Sequence, residues 1–351
     1  VIMVLAYLII YDSQVLYPLP IGPLAPVEYK LTRDLVYGRG LSFYNFNVQT
    51  LVAALMWVFL GGDLLEAVRH SGIIMYLFYL AAVSFFIYKI LNSKSYMMFA
   101  SVALMLFPLT TLTYYVGDYG LLLGAGFSTL LLAFLYKKMG VLFGLKDYIV
   151  LIALAFLMSF SSAQVALLTL LVILVWIILS KFNICYILIK GCLIAAFTII
   201  AFTLIRLAPD IAVERPFLLS TDPTGFRYII GAILAIVVGV GWYLGYKRDG
   251  EEKVRIYTFT PWLVISAAAS CSGLLAAYLF LLPPVIFFSY YAANMAREAI
   301  SIAKNVSESG EEEIEISIML DKLAPSLLAA ALLLTSLFGM TWRDRYEKRY
   351  T

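Results

Sequence analysis

Charge is scarce in this chain. Of 351 residues only 13% are Asp, Glu, Lys or Arg while 63% are hydrophobic, against roughly a quarter charged and half apolar in soluble domains. A water-soluble globular protein is excluded. Histidine is scarcer still. The single one, His70, rules out both a bis-imidazole haem and a histidine-rich zinc site, so any metal has to be held by carboxylates. The three cysteines, Cys185, Cys192 and Cys271, lie in or beside apolar segments, where a thiol acts as a small hydrophobe and fixes no redox compartment. The sequence also lacks a Walker loop, a dinucleotide fingerprint, a Ser-His-Asp order and a pair of broken helices in two matching halves. The last absence counts against a secondary transporter. Basic residues number 25 and acidic residues 22. They are crowded into the little polar sequence there is, a pattern that marks loops and indicates no nucleic-acid partner.

What the chain has in quantity is long apolar runs, each able to cross a hydrocarbon core of about 30 Å as a helix. Such runs, apolar on every face, exclude a β-barrel with its alternating short strands. The expected fold is all-α, a polytopic transmembrane helical protein. Spans are expected at residues 73–91, 97–116, 119–136, 148–160, 165–180, 184–207, 228–246, 257–270, 273–296 and 323–340. Residues 1–10, apolar but too short to cross, read as the end of a first helix, which makes about eleven crossings. The segment 48–61 is apolar over too few residues to span. With Asp63, Glu66, Arg69 and His70 after it, it fits a helix lying in the interface.

Lysine and arginine gather on the cytoplasmic side of membrane proteins. The tight turns 117–120, 161–164 and 270–273 contain no basic residue, whereas the alternate connections hold Lys89 and Lys94, then Lys137, Lys138 and Lys146, then Lys181, then Lys247, Arg248, Lys253 and Arg255. The first set is therefore expected outside and the second inside. Residues 1–340 form one transmembrane domain, with a large outer loop at 11–72 and a second at 208–227. A charged tail follows at 341–351, and it disagrees with this orientation because its arginines would lie outside. The acidic run within 297–322 reads as a solvated inner loop.

Acids at helix ends beside cavities are the candidate functional groups, since ionisable residues at membrane depth are costly. Asp118 lies between Gly117 and Gly120 at the junction of two apolar helices. It is either a ligand for a hard divalent cation or the cap of the following helix. Glu28, Asp12 and Asp34 are the acids of the first loop, and Glu214 of the second loop joins them if both loops fold over one outer cavity. Glu28, Lys30, Arg33 and Asp34 are also spaced for ordinary ion pairing on one helix.

The order of these features resembles the GT-C superfamily of polyprenyl-phosphate-sugar glycosyltransferases, most closely the membrane domain of the catalytic oligosaccharyltransferase subunit. Tyr29-Lys30-Leu31-Thr32-Arg33 leads to Gly38, Gly40 and Phe43-Tyr44-Asn45-Phe46. Pro108 is followed by Gly117-Asp118, and Ala212-Val213-Glu214 is similar to the family's late hydrophobic-x-Glu motif. Leu24 stands near the family's first-loop aspartate, Gly120 replaces its second acid, and the Trp-Trp-Asp-Tyr-Gly run of its soluble domain is not found after Met340. The resemblance implies transfer of a sugar or glycan from a polyprenyl-phosphate-linked donor at the outer face of the plasma membrane. It implies Asp118, Glu28 and Glu214 as metal ligands, Glu28 and Glu214 as catalytic groups, and a divalent cation, Mg or Mn. The alternative is a noncatalytic membrane subunit that binds the lipid carrier, membrane lipids or other membrane subunits, and a transporter ranks behind it.

Overall fold

A computed structural model describes residues 25–38, 47–106, 118–138, 143–181, 189–206, 250–271 and 275–306. Among them the chain is helical, without a strand. The helices are α1 (Ala25–Val36), α2 (Val48–Phe59), α3 (Leu64–Leu91), α4 (Lys94–Leu106), α5 (Tyr119–Lys137), α6 (Leu145–Ser161), α7 (Ala163–Lys181), α8 (Ile189–Arg206), α9 (Glu251–Cys271) and α10 (Leu275–Val306). The all-α expectation holds for these residues. Three stretches, Leu64–Leu91, Tyr119–Lys137 and Ala163–Ser180, are long and apolar enough to cross a membrane. The expected crossings at 1–10, 228–246 and 323–340, the loop 208–227 and the tail 341–351 lie outside the described residues.

Boundaries differ most from expectation in three places: α9 starts at Glu251 instead of 257, α10 runs on to Val306 into the expected inner loop, and α3 starts well before 73. Asp63, Glu66, Arg69 and His70 do not continue the preceding interfacial helix. They form the start of α3, which runs unbroken for 28 residues. The cause is local: Asp63 Oδ1 accepts from the Leu65 and Glu66 amides at 2.9 and 3.0 Å, the geometry of a helix N-cap. Gly61 and Gly62, both at positive φ, turn the chain just before it. The preceding α2 is therefore short. Its 12 residues extend about 18 Å, well under a hydrocarbon thickness.

Direction of packing can be read from contacts along the helices. Gly72 and Gly126 of α3 and α5 rest on Tyr119 and Phe78 respectively, so α3 and α5 run parallel. Gly124 lies on Ser162, and Ser128 shares a 2.6 Å hydrogen bond with Thr169, so α7 runs parallel to α5 as well, with α6 returning between them. Gly191 rests on the Phe143 ring while Phe202 stacks near Phe156 and Phe160. That makes α8 parallel to α6. The interior between α3, α5, α9 and α10 is filled by aromatic rings, with Phe259 touching Phe86, Tyr136 and Phe287 at centroid distances of 5.6, 4.9 and 4.5 Å.

Prolines within this interior have a specific consequence. Proline has no N–H to give the carbonyl four residues back. Pro283 and Pro284 of α10 therefore release the carbonyls of Leu279 and Phe280. Both released groups are taken up by neighbouring helices: the Tyr79 hydroxyl of α3 donates to Leu279 at 2.8 Å, and the Trp262 indole of α9 donates to Phe280 at 2.8 Å. A further bond joins α7 to α9, where the Trp176 indole donates to the Thr258 carbonyl at 2.6 Å, next to the Tyr257 carbonyl that Pro261 releases. Unpaired backbone groups are costly at membrane depth, and Tyr79 and Trp262 remove that cost while locking helix to helix.

The two ends of the bundle differ in charge. At the end where α5 begins stand Lys30, Arg33 and Arg69, together with Glu28, Asp34, Asp63, Glu66 and Asp118. At the other end stand Lys89, Lys94, Lys137, Lys138, Lys146, Lys190 and Lys253, and Asp147 is already paired with Lys138 at 2.8 Å. The apolar sides face outward: Leu167, Leu171, Leu174 and Ile178 make an exposed stripe along α7. In water such a stripe would be an aggregation site, and in a bilayer it is the lipid face.

Candidate functional site

A group of buried polar side chains collects where α1, α2 and the first turns of α3 meet the start of α5. Its centre is Glu28, a carboxylate only 5% exposed. It lies on the face of α1 that also carries Thr32, whose hydroxyl donates to the Glu28 carbonyl at 2.7 Å. Across from it Gln49, on the buried side of α2, donates its Nε2 to Glu28 Oε1 at 2.9 Å. α2 starts where it does because Thr50 donates to the Asn47 carbonyl and receives the Asn47 amide. That local lock places Gln49 one turn-fraction inside the helix, facing α1.

Gln49 is held from below as well. A Cβ on Gly120 would lie 2.7 Å from the Ser161 carbonyl oxygen and 2.8 and 2.9 Å from the Gln49 amide oxygen and nitrogen. Only a glycine lets the carboxamide lie against the α5 backbone. The Gln49 Oε1 atom is buried and takes no hydrogen bond.

Tyr119 and Arg69 complete the group. Both are buried, the Tyr119 ring rests on Gly72, and Tyr119 is within electrostatic reach of both Glu28 and Arg69. Arg69 donates to Glu66, and His70 Nε2 lies 3.6 Å from the other Glu66 oxygen. The result is one buried carboxyl group, Glu28, near the buried Arg69 and two neutral hydrogen-bonding groups. Burying charges in this way is tolerated only when they are paired and hydrogen-bonded.

Asp118 is at the same end, directly before Tyr119, and it is the N-cap of α5: its Oδ1 accepts from the Leu121 amide at 3.2 Å. The capping alternative thus describes its geometry. The structure brings Glu28 and Asp118 to one end of the bundle, and Glu214 lies outside the described residues, as does Asp12. On α1 Arg33 pairs with Asp34 at 3.5 Å, and Glu28 accepts from Gln49. Among the described residues no three His, Cys, Asp or Glu side chains form a metal-holding group. The donor type present does suit a hard divalent cation, since Glu28, Asp118 and the unpartnered Gln49 Oε1 are all oxygens.

Gln49, Arg69 and Tyr119 were not among the site residues expected from sequence. For Gln49 the signal was there, a lone carboxamide within the apolar run Val-Gln-Thr-Leu-Val-Ala-Ala-Leu of α2. Comparison with known proteins adds no identity: no family model and no curated protein matches this chain.

Proposed function

We propose that this chain is a membrane glycosyltransferase of GT-C type, transferring a sugar or glycan from a polyprenyl-phosphate-linked donor at the outer face of the plasma membrane. On this reading the domain has about eleven spans, and the end of the bundle carrying Glu28 is the outer one. The observation that supports it most is the buried Glu28–Gln49 pair beside Arg69 and Tyr119. A carboxylate kept inside protein at a membrane boundary is characteristic of functional rather than purely structural ionisable groups. Glu28, Asp118 and Glu214 would hold the divalent cation, Mg or Mn, which supplies charge stabilisation for the departing phosphate when bound. The chain's own contribution is to orient Glu28 through Gln49 and to exclude water around it with Tyr119 and Thr32.

The test is a transfer assay with polyprenyl-phosphate-linked donors across a divalent-cation titration. Glu28→Gln should lower turnover about 10²-fold or more, the size associated with a working acid–base group. Asp118→Asn should keep the α5 cap, because asparagine caps as well as aspartate, while raising the cation concentration needed. Transfer from no donor by the wild type would overturn the reading.

One observation favours a second reading, a noncatalytic subunit that binds lipid carrier or partner subunits. Glu28 and Asp118 each already serve the fold, one bonded to Gln49 and the other capping α5. On that reading the wild type binds a polyprenyl-phosphate lipid without turning it over.

A further inference from the structure

The face formed by α6 and α8, away from the buried polar group, combines two features that no reading above uses. The first is charge at one level. Gly191 rests on the Phe143 ring, a Cβ there being 2.8 Å from the ring edge. This contact sets the start of α8 beside the start of α6, and so places the exposed lysines Lys190 and Lys146 at the same end of the helix pair. Asp147, the acid next to Lys146 in the chain, is occupied by Lys138 at 2.8 Å and by the Gly144 amide at 3.0 Å.

The second feature is what lies directly beneath these lysines. Because α6 and α8 run parallel and pack together, their outward residues form adjoining stripes. Leu145, Ile149 and Ile152 are exposed on α6, and Leu193, Phe197 and Ile200 on α8, with Leu145 and Phe197 as open as 77% and 76%. Two cations above a broad apolar surface match one kind of occupant: a molecule with a phosphate at one end and hydrocarbon chains below it.

We infer that the α6–α8 face binds an anionic phospholipid of the leaflet at the lysine-rich end of the bundle, with its phosphate between Lys146 and Lys190 and its acyl chains along Ile149, Leu193 and Phe197. A free phosphate would use the lysines and leave the apolar stripes without a role. The long lysine side chains reach the headgroup level while their stems lie along the helices, and attraction of a juxtamembrane lysine to anionic lipid is a recognised contribution.

The experiment uses the full chain in lipid discs and compares, by electron spin resonance, the immobilised fraction of spin-labelled phosphatidylglycerol with that of spin-labelled phosphatidylcholine. The wild type should prefer phosphatidylglycerol. Lys146→Gln and Lys190→Gln should each lower that preference, by up to about fivefold for one cation at the surface. Lys94→Gln, which removes a lysine from the same end of the bundle on α4, should leave it within error. Equal immobilisation of the two lipids by the wild type would overturn the assignment. So would a Lys94→Gln loss as large as that of the α6 and α8 variants, which would mean diffuse attraction, or displacement of the lipid by millimolar inorganic phosphate alone.

Discussion

At the level of single residues, Gly120 carries more of the site than its size suggests. Its bare backbone is the floor on which the Gln49 carboxamide lies, 2.8 Å from where a Cβ would be. Gly120→Ala should therefore destabilise the protein by about 1–3 kcal/mol through overpacking. It should also push Gln49 away from Glu28, so unfolding in a mild detergent series is the measurement, with an unchanged midpoint as the contrary result. Gly120 stood in the sequence only as the residue beside Asp118, and the reason is physical. A glycine's importance depends on what approaches it, and Gln49 comes from a helix roughly seventy residues earlier, a separation that no local pattern encodes. Asp118 and Glu28 were legible because charge is rare in an apolar chain. Their partners were not, since a glutamine, a tyrosine and an arginine among many polar residues acquire meaning only when helices bring them together.

At the level of helices, existence and type were legible where the expected spans fall on described residues, and boundaries were not. The apolar stretches at 119–136 and 165–180 became α5 and α7 almost unchanged, because length and hydropathy alone define such helices. The start of α3 was missed because its cap, Asp63, was read as part of an amphipathic pattern instead of as the acceptor for two amides. Another helix start offers a pH test. The Lys138 ammonium, aided by the Gly144 amide, holds the Asp147 carboxyl below the ordinary carboxylate range. A lowered folded-state pKa means stability that is present above the unfolded carboxylate range and is lost as pH falls through the lowered value. Asp147→Asn should therefore lower the thermal midpoint at neutral pH, with the gap closing on acidification, and a gap independent of pH would contradict this. The proline-released carbonyls give a second test. Tyr79→Phe leaves Leu279 without its donor at a cost of about 1–3 kcal/mol. In a Pro283→Ala background residue 283 regains an N–H for that carbonyl, so the same change should cost less, and equal costs in a double-mutant cycle would refute the coupling.

For the whole molecule, the segregation of lysines to one end makes orientation testable. If lysine-rich ends face the cytoplasm, an impermeant thiol reagent should label Tyr37→Cys in intact cells and reach Lys138→Cys only after lysis. Labelling of Lys138→Cys in intact cells would reverse the assignment of the Glu28 end to the outside. The alternation of loop charges, and with it the common direction of α3, α5 and α7, was readable in sequence; the contacts that fix these helices against one another, such as Tyr119 on Gly72 and Ser128 with Thr169, were not. The paired prolines of α10 also bear on how the protein is made. On the proposed reading with about eleven spans, α10, the last of the described helices to be synthesised, would present two open carbonyls if alone in lipid, a poor state for a membrane helix. Tyr79 and Trp262, on helices already inserted by then, are the donors those carbonyls need. On that reading the final described helix is unsuited to remain by itself in the bilayer and well suited to a docking surface prepared before its arrival.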